Sequence, residues 1–388
     1  MIEIGKRITI NDIEEFYQQL YSPYANAKID IKIPLELEST EFGIIPALIQ
    51  FVSTWIRLGK NGCIRVPFSN IEEQAESFIN RDFSFPLIIM NWKYGVVNDS
   101  DSRDLRSALK DYTAIINLKM RSLKGLTGNQ LLLTCFDQFP AKTGLLNCFY
   151  SDNDFLEKED ALEFTLMPTL VHILSMSRQL IRRNLKDILD DIRGMIFELM
   201  KNTDEWARTD KDDKPLNPNV RGLYVKFTRG GKRNLIQRYD GNTIYGGFFD
   251  DLTPNINDEV YFLELSVFDS GPGFIDRKTK GQTPPSIQDS VMILKECLTL
   301  HNTSATGTRS LTKGLGLDRI LNILNNRGIL LIRTNRLSVY RNLKKRSHIS
   351  GTETANIALY DWQTHSATDF TAMHDSKGAV LSIIYPLS

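Results

Sequence analysis

The sequence has few cysteines and no excess of either charge. It contains no Cys-x-x-Cys pair, so a zinc site is not expected, and widely spaced single cysteines are typical of buried thiols in a cytosolic protein. The four are Cys63, Cys135, Cys148 and Cys297. The chain carries 47 basic and 47 acidic residues, so its formal net charge is zero. Nothing in the overall charge therefore indicates nucleic acid as a partner or favours an anionic membrane.

Long hydrophobic runs and standard phosphate-binding loops are also absent. The most apolar stretch, residues 42–56, is short for a membrane span and includes Pro46 and Gln50, so we expect a buried amphipathic helix and no membrane partner. Residues 1–7 lack the apolar centre of a signal peptide, so a cytoplasmic location is expected. The pattern GxxxxGK[ST] does not occur, which disfavours a P-loop NTPase.

The remaining composition is typical of a globular protein. The chain has 388 residues, of which 41% are hydrophobic and 24% charged, and this length predicts two domains. A polar, turn-like run at 150–158 is the best boundary. We therefore predict an N-terminal α/β domain at 1–155, with a regulatory or interaction role, and a second domain at 156–388.

The first range predicts alternating strands and helices, which would form a sheet covered by helices. Predicted strands are 29–37, 63–67, 86–90 and 131–136, and predicted helices are 41–58, 71–80 and 102–123. Residues Pro86–Met90 are wholly apolar, as in a central strand. In the second range, predicted helices are 159–209 with a break at Pro168, 287–300 and 317–326, and predicted strands are 222–227, 261–268, 329–334, 357–360 and 379–385. Residues 230–258 predict a loop or hairpin.

The first chemical motif combines a carboxylate and an amide on one helix. Glu198 and Asn202 are four residues apart, so they share one helix face. Mg²⁺ held by phosphates accepts oxygen ligands, and an Asn202 amide oxygen is suitable. A carboxylate one turn away can orient or deprotonate water for attack on phosphorus. The alternative is an exposed polar pair on an amphipathic helix.

The second motif is an aspartate at a strand end, followed by glycines. Asp269 ends an apolar strand and precedes Gly271 and Gly273. A carboxylate there can accept a hydrogen bond from the exocyclic amine of adenine, and the glycines let the backbone pass close to a ligand. An ordinary Asp-Ser-Gly turn is the alternative.

The third motif places glycines at a helix start. Lys313, Gly314, Leu315 and Gly316 precede the helix predicted at 317–326. A helix N-terminus offers free N–H groups and the positive end of the helix dipole, which favour phosphate. The preceding residues, 308–312, are interpreted as the edge of a mobile lid.

The order of these motifs resembles the N, G1 and G2 boxes of the GHKL ATPase superfamily, which includes gyrase, the heat-shock chaperone, histidine kinases and mismatch-repair ATPases. The resemblance covers roughly residues 180–388. It implies a Bergerat fold, a two-layer α/β sandwich whose mixed sheet carries helices on one face, with ATP and Mg²⁺ as ligands. It also implies Glu198 as general base, Asn202 as magnesium ligand and Asp269 as the acceptor for adenine.

One departure from the superfamily pattern concerns the last strand. Members often carry Gly-Thr before it, whereas this chain has Gly378-Ala379. The alanine lacks the hydroxyl that could contact the aspartate and its water. The pair Gly351-Thr352 fits this position less well.

Three functions remain open at this point. The first is a slow ATPase whose lid closure switches partner interactions, and the second is a protein kinase of the histidine-kinase or anti-sigma-factor type. The third is a nucleotide-sensing scaffold without catalysis. His172 precedes Glu198 by only 26 residues, which is close for a separate phosphoacceptor hairpin, so a structural histidine is expected. We expect a protein partner at the N-terminal domain and leave a homodimer open.

Overall fold

The computed structural model describes residues 1–22, 28–39, 41–126, 128–175, 185–239, 242, 244–282, 285–299 and 316–387. Three predicted site residues, Lys313, Gly314 and Leu315, lie outside these ranges. The predicted lid edge at 308–312 also lies outside them.

The α/β class is confirmed, and the described residues contain both helices and strands throughout. The helices, numbered along the chain, are α1 Ile10–Tyr21, α2 Ile44–Arg57, α3 Ile71–Ile79, α4 Ser84–Asn91, α5 Arg106–Ser122, α6 Ala141–Gly144, α7 Ala161–Thr165, α8 Met167–Ser175, α9 Leu185–Trp206, α10 Lys232–Arg238, α11 Tyr245–Asp250, α12 Phe274–Thr279, α13 Ile287–Leu298 and α14 Gly316–Ile323. The strands are β1 Ile2–Glu3, β2 Arg7–Ile8, β3 Ile29–Lys32, β4 Glu38–Ser39, β5 Asn61–Val66, β6 Val96–Asn98, β7 Gln130–Phe136, β8 Tyr150–Ser151, β9 Asp154–Phe155, β10 Val220–Gly231, β11 Glu259–Asp269, β12 Ile329–Asn335, β13 Leu337–Asn342, β14 Tyr360–Asp361 and β15 Ser376–Pro386.

Two sheets of different type organise the chain. The first has four strands in the order β1-β3-β5-β6, and all its pairs are parallel. The second has seven strands in the order β14-β13-β12-β15-β11-β10-β7, and each described pair is antiparallel. The second sheet therefore differs from the mixed sheet that the resemblance implies.

Helices cover both faces of the seven-stranded sheet. On β11, Glu264 accepts a hydrogen bond from the Gly43 N–H at the start of α2 (2.7 Å). The adjacent residue Leu263 pairs with Tyr385, whose hydroxyl donates to Asp191 of α9 (2.6 Å). Because successive strand residues point to opposite faces, α2 and α9 lie on opposite sides of the sheet. The expectation of helices on one face is therefore corrected.

Helix α2 lies between the two sheets. Its residues 44–56 are all buried, as expected for a helix that is apolar on all sides. Trp55 donates to the Ile29 carbonyl of β3 (2.9 Å), and Gln50 donates to the Arg333 carbonyl of β12 (3.2 Å). The buried helix predicted at 42–56 is confirmed. It is not amphipathic as expected, because it is buried on all sides. Of the helices that the structure describes, none combines the length and apolarity needed to cross a membrane.

The predicted strand Pro86–Met90 is wrong, because these residues belong to helix α4. A short apolar run is compatible with either a buried strand or a buried helix. Every residue of α4 is buried, and Pro86 is its third residue, in the first turn, where a missing N–H leaves no helical bond unmade.

The loop or hairpin predicted at 230–258 instead includes the helices α10 and α11. Tyr245, Phe248 and Phe249 are spaced as on one helix face, and they pack with Phe42 and Phe262 into an aromatic cluster beside the second sheet. This burial compensates for the glycines at 246 and 247, which lower helix propensity.

The predicted division into 1–155 and 156–388 stays a prediction. Strand β7 of the first range pairs with β10 along its length, so it is an edge strand of the second sheet. Helix α2 of the first range covers one face of that sheet. One continuous hydrophobic core includes residues of both ranges, such as Leu48 and Leu265. The first range therefore completes the sheet of the second.

Candidate functional site

Helix α9 carries the first motif on a partly exposed face. Its apolar residues recur at helical spacing and are buried: Ile192, Met195, Ile196, Leu199 and Met200. They pack against β10 and β11. The side chain of Glu198 is 19% exposed, and Asn202 is half-buried one turn further along. The Asn202 side chain forms no hydrogen bond within the described part of the chain, so its amide is available to a ligand.

Strand β11 places Asp269 at its end, as predicted. The residue is 9% exposed, and its Oδ1 accepts a hydrogen bond from the Gly271 N–H (2.8 Å). Burial raises the pKa of Asp269 to about 6, although the backbone N–H groups of Gly271 and Ala379 oppose this shift. A buried carboxylate without a cationic partner in direct contact is costly to ionise, which is unusual for a purely structural turn.

The glycine after Asp269 brings the second motif against α9. A Cβ at Gly271 would lie 2.7 Å from the Cα of Ala207, immediately after the last helical residue. Only glycine permits this approach. The turn after β11 is therefore in direct contact with the end of α9, at a position five residues after Asn202.

The position directly before helix α12, Gly273, requires a glycine for two reasons. Its φ is +83°, and a Cβ there would lie 2.6 Å from Asn335 Oδ1. The side chains of Thr334 and Asn335 accept hydrogen bonds from the N–H groups of Phe274 (3.1 Å) and Ile275 (3.0 Å). The end of β12 therefore caps α12 and fixes the turn after Asp269.

The third motif meets the first at the start of α14. A Cβ at Gly316 would lie 2.6 Å from Glu198 Oε2. Arg319, one turn further, lies 3.4 Å from Glu198 Oε1 and also forms an ion pair with Glu159. The carboxylate of Glu198 is thus held between the helix start and a guanidinium.

A buried ionic network lies next to the second motif. Arg221 is fully buried on β10, opposite Asp269 in the strand pair. It donates to both oxygens of Asp137 (2.7 and 2.8 Å) and to the hydroxyl of Tyr150 (2.7 Å). Tyr150 in turn donates to Asp204 of α9 (2.6 Å). This network connects α9 to β7 and β10.

Ser270 extends the network to α2. Its hydroxyl donates to Asn219 Oδ1 (2.6 Å) and accepts from the Val220 N–H (2.9 Å). Arg57, the last residue of α2, donates to Asn219 Oδ1 (3.2 Å) and to the Ser270 carbonyl. The residue that follows Asp269 is therefore held by the N-terminal part of the chain.

A threonine lies opposite Ala379, the residue that stands where the resemblance to the superfamily predicts a threonine. Thr334 is paired with Ala379 across β12 and β15, and its hydroxyl donates to the Gly378 carbonyl (3.3 Å). The backbone of Gly378 packs closely against the backbone of Asp269, because a Cβ at residue 378 would lie 1.9 Å from the Asp269 carbonyl oxygen.

The structure brings Glu198 to Gly316, and the Asp269 turn to the end of α9. Sequence reasoning missed Arg319, Asn335 and Arg221, although Arg319 stands three residues after Gly316, one helical turn away. Among the residues that the structure describes, no three His, Cys, Asp or Glu side chains could jointly hold a metal ion. A single available amide fits a magnesium ion whose other ligands are phosphate and water.

Comparisons with protein-family models, with curated proteins and with solved structures found no match for this chain. The resemblance to the GHKL superfamily therefore stays a prediction from three motifs.

Proposed function

We propose that this protein binds Mg-ATP between helix α9, the end of β11 and the start of α14, and that it hydrolyses ATP slowly. The observation that carries the proposal is the convergence of three separate segments. Gly271 lies against Ala207, and Glu198 lies against Gly316, although these pairs are separated by 64 and 118 positions in the sequence. The predicted lid edge at 308–312 lies outside the described residues, so it does not support the proposal.

Adenine recognition is assigned to Asp269. With a pKa of about 6, its carboxylate is mostly ionised at pH 7.5 and accepts the exocyclic N–H of adenine. Guanine presents a carbonyl oxygen at the corresponding position, which a buried carboxylate repels. The proposed site therefore selects ATP over GTP.

Phosphate chemistry is assigned to α9 and α14. Asn202 supplies one oxygen to magnesium, and Glu198 orients the attacking water. Because Arg319 contacts Glu198 (3.4 Å) and also holds Glu159, it positions the Glu198 carboxylate. Switching of a protein partner, a homodimer and a cytoplasmic location remain predictions attached to this proposal.

Phosphate release by purified protein tests the catalytic assignment. Wild type is compared with Glu198→Gln and with a control on the same helix, Asp187→Asn, whose side chain is exposed. We expect Glu198→Gln to lose about a hundredfold in rate, as for removal of a general base, and Asp187→Asn to match wild type.

Each other outcome has a defined meaning. Transfer of γ-phosphate to the protein itself would identify the kinase alternative. ATP binding without turnover would identify the sensing scaffold. Absence of ATP binding by wild type, or equal hydrolysis by Glu198→Gln, would contradict the proposal as stated.

A further inference from the structure

A large open cavity lies on the α2 side of the second sheet, away from α9. Its volume is about 920 Å³. Helix α1, the residues just before α11 and the segment after β14 line it, with Glu14, Glu15, Trp362 and Met373 among the lining residues. None of the proposed nucleotide-site residues lines it.

A small inner chamber adjoins this cavity. It has a volume of about 50 Å³ and shares Glu14 and Trp362 with the outer cavity. The rings of Tyr17 and Tyr245 line it, as does Gln50 of α2. Because a single water needs about 10–15 Å³ by this type of measure, the chamber has room for a small polar group.

Two residues that line the chamber each carry a buried polar atom that has no partner among the described residues. Tyr245 is 0% exposed and Gln50 is 1% exposed. Within the described part of the chain, neither the Tyr245 hydroxyl nor Gln50 Oε1 forms a hydrogen bond. Leaving such atoms unsatisfied destabilises the folded state, and buried polar groups in native proteins nearly always have a partner.

The orientation of Gln50 is fixed by its other amide atom. Nε2 donates to the carbonyls of Arg333 (3.2 Å) and Gly378 (3.3 Å). Only the nitrogen can donate to two carbonyls, so rotation of the amide by 180° would place the oxygen against them. The oxygen is therefore the acceptor that remains for an occupant of the chamber.

Charge favours a cation in the outer cavity. Two carboxylates, from Glu15 and Glu41, line the outer cavity in addition to Glu14, which is paired with Arg333. One guanidinium, Arg333, lines the inner chamber, and Glu14 and the carbonyls of Asn335 and His374 already bond it. The indole of Trp362 adds an aromatic surface, which attracts cations and apolar rings.

We infer that this cavity is a second ligand site, which binds a small organic amine that carries a hydroxyl group at its other end. The ammonium lies near Glu15 in the outer cavity, and the body of the ligand packs on Trp362. The hydroxyl enters the inner chamber, where it donates to Gln50 Oε1 and accepts from the Tyr245 hydroxyl. This arrangement satisfies both unpaired atoms and compensates the acidic lining.

Three related probes separate the parts of this inference. Tyramine has both groups, phenethylamine lacks the hydroxyl, and 4-hydroxyphenylacetate replaces the amine with a carboxylate. Calorimetry of the full chain without nucleotide should show binding of tyramine. We expect phenethylamine to bind about thirtyfold more weakly, the effect of two hydrogen bonds of about 1 kcal/mol each, and no binding of the carboxylate.

Two variants then assign the contacts. Tyr245→Phe removes one of the two hydrogen bonds to the ligand hydroxyl, so it should weaken tyramine about fivefold and leave phenethylamine unchanged. Glu15→Gln should weaken both amines. Tyr94→Phe, a change at an exposed tyrosine, is the control and should match wild type.

A stability measurement distinguishes ligand binding from a structural role. Because the Tyr245 hydroxyl is unpaired, Tyr245→Phe should melt at the same temperature as wild type or higher in the absence of probe. A lower melting temperature, or tyramine affinity that is equal in wild type, Tyr245→Phe and Glu15→Gln, would overturn the inference. Failure of tyramine to bind wild type would also overturn it, and none of these results bears on ATP binding.

Discussion

The carboxylate of Glu198 lies against Gly316, the first residue of helix α14. A Cβ on residue 316 would stand 2.6 Å from Glu198 Oε2, closer than van der Waals contact permits. The contact places an acid from α9 at the N-terminus of a second helix, where partial positive charge favours anions. In the proposed site the triphosphate also binds at the N-terminus of α14, so Glu198 must either share this position with the triphosphate or move away from it.

Gly316→Ala tests this contact. The added methyl would displace the end of a flexible side chain, and alanine favours helix over glycine by up to about 1 kcal/mol. We therefore expect unchanged or slightly higher stability in a thermal melt, together with slower ATP hydrolysis.

A double-mutant cycle isolates the cause. With Glu198 already replaced by alanine, Gly316→Ala should have no further effect on the remaining activity. An equal loss in both backgrounds would show that the methyl acts on something other than Glu198.

Gly378→Ala should strongly destabilise the fold. Gly378 has φ +82°, and its Cβ would lie 1.9 Å from the backbone oxygen of Asp269, which cannot move without disturbing β11. We expect a loss of about 3 kcal/mol or more in the free energy of unfolding, measured by urea denaturation. Gly351→Ala is the matched control, since its nearest neighbour would be 3.9 Å away; similar losses for both variants would refute the explanation.

Two arginines on strand β10 test how strongly a buried ion pair and an exposed ion pair each affect stability. Arg221 is fully buried on Asp137, whereas the side chain of Arg229 is 52% exposed in its pair with Glu259. Arg221→Met leaves Asp137 without its main partner and should cost about 3–5 kcal/mol. Arg229→Met should cost less than about 1 kcal/mol. Comparable losses in chemical denaturation would contradict the role given to the buried network.

Glu264 predicts a pH dependence of stability. Burial raises its pKa to about 7, against the hydrogen bond from the Gly43 N–H. Between about pH 4.5 and 7 the folded state binds more protons than the unfolded state, so this group lowers stability as pH rises.

Glu264→Gln keeps the shape and the acceptor but removes the ionisation. It should raise the free energy of unfolding at pH 8 by up to about 3 kcal/mol, the equivalent of this pKa difference, and have little effect at pH 4. Glu157→Gln, at an exposed position, is the control for loss of a carboxylate. An increase that is equal at both pH values would contradict the titration of Glu264.

The sequence predicted elements that have strong periodicity or clear ends. Strand β11 ends at Asp269 as expected. The helix break predicted at Pro168 occurs instead at Leu166, between α7 and α8, and Pro168 lies in the first turn of α8. The error at Pro86–Met90 arose because a fully buried helix and a central strand have the same apolar pattern. The antiparallel pairing of β7 with β10 could not be predicted, because register depends on contacts between residues about 90 positions apart.

The candidate site was predictable where local spacing determines it. Glu198 and Asn202 share a helix face because they are one turn apart, and Gly316 begins α14 because glycines precede an apolar helical pattern. The partners Arg319, Asn335 and Arg221 act across the fold, and no local signal connects Asn335 with the N-terminus of α12. Burial of Asp269, which raises its pKa, likewise depends on the packing of Gly271 and Gly378 around it.

ATP titration in the presence of magnesium, by calorimetry, tests the central claim most directly. Wild type should bind ATP and prefer it to GTP. Asp269→Asn should lose roughly tenfold to a hundredfold in ATP affinity, as for a hydrogen bond to a charged group. Asn202→Ala should lose the part of the ATP affinity that depends on magnesium. Wild-type protein that binds neither nucleotide, or that binds ATP and GTP equally and is unaffected by Asp269→Asn, would contradict the account.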